Sequence, residues 1–258
     1  MNPVIIALSG KKGAGKNEIA STVLSLLKTH FCQDYDSPCC ESVLECSFAD
    51  DIKTFCINTL GLTKEQCYGS DEEKNLSTEY MWENVPDFLR WRFAGMQFVY
   101  GDGSKLTCTS VDYESSRFFY WRNILHNNES HAPVLAEGPM SGRQIMQIFG
   151  TDLIRSSFGN VWALATIRRI KRDRHVAAAI ITDNRFPNEI ETVLQEPNGF
   201  IIRLSRAPYS DEHPSEKALD NFIWERDRCY MLDNAEMTIE QQIEAVKPLV
   251  SNILERSV

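Results

Sequence analysis

Residues Gly10-Lys11-Lys12-Gly13-Ala14-Gly15-Lys16-Asn17 place three glycines and three lysines in the spacing G-x-x-x-x-G-K. Glycines so placed let successive backbone N–H groups turn inward around a phosphate. The lysine before Asn17 reaches the outer phosphate oxygens, and the N-terminus of a following helix adds partial positive charge. The chemistry indicated is binding of a nucleoside triphosphate. At the last position Asn17 stands where a Ser or Thr hydroxyl usually meets Mg²⁺, and its carbonyl oxygen can serve directly or through water. The competing reading is a Gly/Lys-rich surface turn.

A second group of polar residues follows an apolar run. Val176–Thr182 ends in Asp183, with Arg185 two residues on. A carboxylate there can hold Mg²⁺ or its water shell, or cap the next helix. Arg206 ends a further apolar run, Phe200–Leu204. Guanidinium groups at 185 and 206 can clamp phosphoryl oxygens in pairs of hydrogen bonds as charge shifts during transfer, although a surface ion pair is the default for either alone. The basic run Arg168–His175 falls at an expected helix C-terminus, where cations complement the helix dipole and need no phosphate.

These groups need elements to hold them. Residues 4–9, VIIALS, read as a strand buried on both faces. From Asn17 to Phe31, Ile19, Val23, Leu27 and Phe31 recur on one helix face. The phosphate motif thus has a strand before it and a helix after it. Further strands are expected at Val43–Phe48, Phe200–Leu204 and Cys229–Leu232, and helices at 51–60, 142–158, 161–171 and 238–254. Apolar strands alternating with helices imply a parallel sheet covered on both faces, with ligands at the carboxyl ends of the strands. The expected fold is therefore an α/β three-layer sandwich. Ser9–Lys16, Asp183–Arg185 and Ser205–Arg206 are expected to converge on one cleft.

Composition narrows the partners. The chain has 258 residues, 43% hydrophobic and 24% charged, which suits one large α/β domain with insertions. A net charge of −9 opposes nonspecific attachment to nucleic acid, so phosphate chemistry must rely on locally placed cations. The N-terminal apolar run is too short for a secretory or membrane segment, and a cytoplasmic location is expected. The eight cysteines are then expected as reduced thiols. Cys32, Cys39, Cys40 and Cys46 lack paired C-x-x-C spacing and a nearby His, which favours incidental cysteines over a metal site. Between Tyr68 and about Met140 the pattern is hard to read. A β-hairpin around Gly101-Asp102-Gly103-Ser104 is the one local expectation there.

Several blocks, in order, resemble the phage-type deoxynucleoside monophosphate kinases, a branch of the P-loop nucleoside monophosphate kinases. The loop ends GKN where that family commonly has GKD. Phe48-Ala49-Asp50-Asp51-Ile52-Lys53 resembles its F-A-x-x-[LI]-K block, and 143–152, RQIMQIFGTD, its R-x-x-[LM]-Q-x-x-G-T-[DE] helix. Residues 183–189, DNRFPNE, resemble D-x-R-F-x-N-E, and 211–216, DEHPSE, the H-x-S-E segment. The resemblance covers about 4–76 and 140–256. It implies a parallel five-stranded sheet with an inserted acceptor-binding region, taken as 61–140, and a lid-like loop at 207–220. It also implies an acceptor site lined by Ala49, Asp50, Lys53, Arg143, Gly150, Thr151, Asp152, Arg155, Trp162, Asn184 and Arg185, with His213 and Glu216 on the lid. The activity implied is transfer of the γ-phosphoryl group of ATP, with Mg²⁺ held by Asn17 and Asp183, to deoxynucleoside 5′-monophosphates. Lys16, Asp183, Arg185 and Arg206 would be the catalytic groups, and a homodimer the expected oligomer. Two rivals remain at this stage: a phosphomevalonate-kinase-like enzyme and a non-catalytic P-loop nucleotide-binding protein.

Overall fold

In a computed structural model, residues 2–32, 42–86, 90, 96–99, 105–108, 136–208 and 218–257 are described. The chain forms two compact units, Met1–Thr54 with Ile154–Val258, and Phe55–Leu153.

The first unit is built on a five-stranded sheet in the order β2-β7-β1-β8-β9, with every pairing parallel. The strands are β1 (Val4–Ser9), β2 (Val43–Cys46), β7 (Ala178–Asn184), β8 (Gly199–Leu204) and β9 (Cys229–Leu232). Its helices are α1 (Lys16–Phe31), α2 (Asp50–Leu60, which begins here), α6 (Val161–Arg172), α7 (Pro187–Leu194) and α8 (Ile239–Arg256). Burial of both faces of β1 explains why Val4 to Leu8 are all apolar. Ile6 and Leu8 pack with Ile180 and Ile202 against Ile19, Val23 and Leu27 of α1 and Val246, Val250 and Ile253 of α8. Ile5 and Ala7 pack on the opposite face with Ile181 and Ile201 against Ile167 and Ile170 of α6 and Ile190 and Val193 of α7. Each such Ile or Leu, fully withdrawn from water, contributes on the order of 1.5–3 kcal/mol. The three-layer α/β sandwich expected from the sequence is the fold observed.

The ladder between β1 and β7 is regular from Val4↔Ala178 to Ala7↔Ile181, then shifts so that Ser9 pairs with Asn184. Arg228, at φ 65°, precedes β9 and donates its guanidinium to the carbonyls of Leu194, Glu196, Pro197 and Gly199, closing the end of α7.

The second unit contains α3 (Lys64–Tyr68), α4 (Asp71–Lys74), α5 (Gly142–Gln147) and two antiparallel pairs. One pair joins β3 (Ser77–Met81) to β6 (Pro139–Ser141); the other joins β4 (Met96–Val99) to β5 (Lys105–Cys108). The second pair is the ladder of the expected hairpin, whose turn at 101–104 lies outside the described residues. Reciprocal capping boxes start all three helices, with Thr63 and Gln66, Ser70 and Glu73, and Ser141 and Gln144. The long helix expected over 142–158 changes character part way. After α5 the chain follows π-helical geometry from Ile148 to Arg155, spanning the Gly150-Thr151-Asp152 block.

Candidate phosphate-binding site

The turn between β1 and α1 has the geometry that the glycine pattern requires. Gly13 and Gly15 adopt φ of 75° and 87°, the left-handed region that other residues enter only with strain. Ala14 donates its N–H to Lys11 O at 3.1 Å, which tightens the loop, and Ala14 itself is buried. Gly15 occupies the N-cap of α1 and has no side chain with which to cap it. The first-turn N–H groups, together with the helix dipole, therefore face the loop as an anion site. Lys16 folds its ammonium back along the loop and donates to Gly10 O at 2.7 Å and Lys11 O at 2.8 Å. Lys11 pairs with Asp220 at 2.8 Å.

Two residues that the sequence reading missed hold this loop from behind. Asn234, fully buried after β9, donates its Nδ2 to Ala14 O at 2.8 Å and to Gln242 Oε1 at 3.0 Å. Its Oδ1 accepts the backbone N–H of Arg206 at 2.9 Å. Gln242 lies one turn into α8 and presses against Gly15, where a Cβ would come within 2.6 Å of Oε1. The guanidinium of Arg206 donates to Met237 O in the same network. Arg206 is thus tied to the outside of the phosphate loop. An Asn two residues past a strand and a Gln in a C-terminal helix carry no signal in one sequence that distinguishes them from surface polar groups.

Asp183 lies near the end of β7, half-buried. Its Oδ1 accepts the N–H of Phe48 at 2.7 Å and its Oδ2 that of Ala49 at 3.2 Å. It therefore anchors the turn into α2 and does not cap the helix that follows it. Burial raises its carboxyl above the usual aspartate value, opposed by those two N–H donors and by the charges of Lys53 and Arg185. Each carboxylate oxygen keeps a further lone pair for a metal or its water.

The capping role belongs to Glu189, a third missed residue, 2% exposed in α7. Its Oε2 accepts the N–H groups of Arg185 at 2.8 Å and Phe186 at 3.1 Å, while Oε1 meets Arg155 Nη2 at 2.6 Å. Arg155 also stacks over the Phe186 ring, 4.1 Å from its centre. Arg155 is thereby used to fix the Asp183–Arg185 turn. Burial raises the Glu189 carboxyl, with Arg155 and the backbone donors opposing.

Asp50 is turned back on the chain, its carboxylate accepting Ser47 N–H at 2.7 Å and Ser47 Oγ–H at 2.9 Å, with Arg169 at 3.5 Å. Lys53 lies close enough to Asp183 to stabilise its charge, and Trp162 sits half-buried in the first turn of α6. In the other unit, Arg143 of α5 pairs with Asp71 at 2.5 Å, and Gly150, Thr151 and Asp152 lie in the π-helical stretch. His213 and Glu216, with most of the loop 207–220, lie outside the described residues, as do Cys39 and Cys40. Among the described residues no group of three or more His, Cys, Asp and Glu forms a metal cage, and no helix is long and apolar enough to cross a membrane. A single strand-end carboxylate beside a phosphate loop is nonetheless the donor set that suits Mg²⁺, which takes few protein ligands and keeps its waters and phosphate oxygens.

The arrangement can bind a polyphosphate at the head of α1 and place a carboxylate and an arginine beside it. Comparison with known proteins gives the same chemistry. The sequence is similar to a protein of Acanthamoeba polyphaga mimivirus assigned as a deoxynucleotide monophosphate kinase, 25% identical over 229 residues, covering 84% of this chain and 82% of the relative. It is similar also to the deoxynucleoside-5′-monophosphate kinase of Escherichia phage T5, 24% identical over 234 residues, covering 84% and 85%. Residues 4–240 match the deoxynucleotide monophosphate kinase family, so the chain belongs to that family and is a phosphotransferase.

Proposed function

We propose that this enzyme transfers the γ-phosphoryl group of ATP to the 5′-phosphate of a deoxynucleoside monophosphate, giving the diphosphate. The observation that carries the reading is the phosphate loop at the end of β1 with the Asp183–Arg185 turn on the neighbouring strand β7. Backbone N–H groups of residues 10–17 would cradle the triphosphate, with the Lys16 ammonium leaving its two loop carbonyls to reach the outer oxygens. Asp183 and the Asn17 carbonyl would hold Mg²⁺, whose charge offsets that of the phosphates. Arg185, its backbone fixed by Glu189, would neutralise charge on the moving phosphoryl group, and the Arg206 guanidinium would join it only on leaving Met237 O. Positioning and charge neutralisation suffice for in-line transfer, with no covalent enzyme intermediate.

We assign acceptor recognition to Ala49, Asp50, Lys53, Arg143, Gly150, Thr151, Asp152, Arg155, Trp162, Asn184 and Arg185, alongside an inserted region at 61–140. The reading places the enzyme in the cytoplasm with its nucleotide substrates, and a homodimer is the oligomer to test by sedimentation. The deciding experiment measures ADP formation from Mg·ATP with dTMP, dGMP, dCMP, dAMP, their ribose counterparts and phosphomevalonate, for wild type and Lys16→Ala. Turnover with deoxynucleotides that disappears in the variant is expected. Turnover with phosphomevalonate alone, or ATP binding without turnover on any acceptor, would refute the assignment.

A further inference from the structure

The tips of β7, β1 and β8 carry three polar side chains in one row. Ser9 pairs in register with Asn184 on one side and Arg203 on the other. Between Ala7↔Ile181 and Ser9↔Asn184, β7 carries one residue more than β1. Successive strand residues alternate between faces, and residues paired in a parallel ladder share one. An unbroken β7 would send Asn184 to the face of Ala178 and Ile180, against α1 and α8. The extra residue re-aims it to the face of Ala7, Ile181 and Ser9. Arg203 completes the row, donating Nη1 to Ser9 Oγ at 3.0 Å with its guanidinium 5.0 Å from the centre of the Trp224 ring.

Asn184 is 1% exposed, yet neither its Nδ2 nor its Oδ1 has a hydrogen-bond partner among the described residues. A buried carboxamide with no partner destabilises the fold that contains it, and native structures hold few of them. Its location gives the reason for tolerating one. Ser9, its register partner, is followed at once by Gly10, the first residue of the phosphate loop, and Asn184 itself lies between Asp183 and Arg185. The bulge and the buried amide thus coincide at the point where the two halves of the proposed transfer site meet.

We propose that Asn184 is a phosphate-contacting residue of the transfer site, its Nδ2–H donating to an oxygen of the bound nucleotide's phosphates directly or through one water. This rests on the kinase reading above and gives Asn184, which the family resemblance implies in the acceptor site, a specific role: its buried carboxamide gains a partner when nucleotide binds. A group kept at a functional site against its effect on stability is the pattern expected when binding supplies the missing partner.

The test compares wild type with Asn184→Leu, close in size and apolar, and Asn184→Asp, which exchanges the donor for a charge that repels phosphate. Melting is followed without nucleotide and with Mg·ATP, alongside steady-state kinetics. Without nucleotide, Asn184→Leu is expected to melt about 2–4 °C above wild type, because the unpaired amide is gone. Its Mg·ATP-induced shift should shrink and its kcat fall by about tenfold or more, with Asn184→Asp losing more. Unchanged kinetics and an unchanged Mg·ATP shift in Asn184→Leu would overturn the proposal. So would a lower melting temperature with a full Mg·ATP shift, which marks a purely structural amide. If the leucine variant does not fold, Asn184→Ser is read by the same Mg·ATP shift. Failure of the wild type to phosphorylate any acceptor would sink the kinase reading, while the Mg·ATP shift would still decide the contact.

Discussion

Asn234 Nδ2 lies 2.8 Å from the carbonyl oxygen of Ala14, so a residue 220 positions away holds the crest of the phosphate loop from its outer side. Removing this amide leaves Ala14 O and the Arg206 N–H without their buried partner. Asn234→Ala is therefore expected to destabilise by about 1–3 kcal/mol, lowering the melting temperature by about 2–4 °C per kcal/mol. The KM for ATP should rise more than kcat falls, because the loop's resting shape is what is lost. A melting temperature and KM(ATP) equal to wild type would show that the loop holds its shape alone.

Gly15→Ala tests the same brace from the loop side. The substitution strains the backbone at φ 87° and drives a methyl to within 2.6 Å of Gln242 Oε1. The left-handed conformation costs about 1–2 kcal/mol for a residue with a Cβ, and the clash adds to it. Pairing the change with Gln242→Ala removes the clash, together with the Asn234–Gln242 hydrogen bond, and leaves the backbone strain in place. Mg·ATP affinity measured by calorimetry is expected to drop in Gly15→Ala and to recover in part in the double variant; full recovery would show that backbone strain is not what excludes alanine.

The ion pair of Arg155 and Glu189 predicts a pH-dependent defect. Arg155→Ala leaves a carboxylate that is 2% exposed without its cation. Breaking a buried pair in this way costs about 3–5 kcal/mol. Arg155 lowers the Glu189 pKa, so its removal raises an already elevated value further. Below that value Glu189 is neutral and no uncompensated charge is buried. The stability gap between wild type and variant, from urea unfolding, should be widest near pH 7 and narrow toward pH 5. A gap that widens in acid would contradict the assignment.

Much of this site was legible because the first unit obeys local rules. VIIALS must be buried on both faces, Gly10–Asn17 follows it directly, and α1 repeats its apolar residues every four positions. What escaped were residues whose roles depend on distant chain. Glu189 reads as an exposed first-turn acid until Arg155 arrives from 34 residues upstream to bury it. Asn234 and Gln242 acquire meaning only when α8 packs beside the phosphate loop. Asp183 offered two readings, a metal-holding carboxylate or a cap for the following helix, and neither revealed that its oxygens bind a turn 134 and 135 residues earlier. The second unit hid its short helices α3 and α4 because they are held by capping boxes and are too brief to show a period.

Two buried thiols give a further prediction. Burial pushes Cys46 and Cys56 up to about 12, so at pH 8 almost none of either is thiolate. Iodoacetamide at that pH should leave the Cys46 and Cys56 peptides unmodified in the native enzyme and label them fully in urea, as read by mass spectrometry. Rapid labelling of native Cys46 would mean that the end of β2, and with it the Phe48–Ala49 turn that Asp183 holds, opens readily.

The raised carboxyl of Asp183 is expected to govern the acid behaviour of both stability and the proposed transfer, with different signs. Its folded value lies above the ordinary aspartate value, so the folded state holds the proton more tightly than the unfolded chain does. The stability it confers is complete below the ordinary value and is lost as pH rises through the folded one. The metal-holding role needs the opposite form, the carboxylate, so kcat/KM for ATP should rise with pH across the same window. Lys53 and Arg185 limit the displacement, and removing the stronger of these two cationic influences with Lys53→Met should move the acid limb to higher pH. A pH–rate profile for wild type and Lys53→Met, with urea unfolding at each pH, tests both signs together. An acid limb at the ordinary aspartate value, unmoved in Lys53→Met, would show that Asp183 is not the titrating group. A limb that moves upward would join the electrostatics of the β7 tip to turnover, as expected if one carboxylate both anchors the Phe48–Ala49 turn and holds the metal.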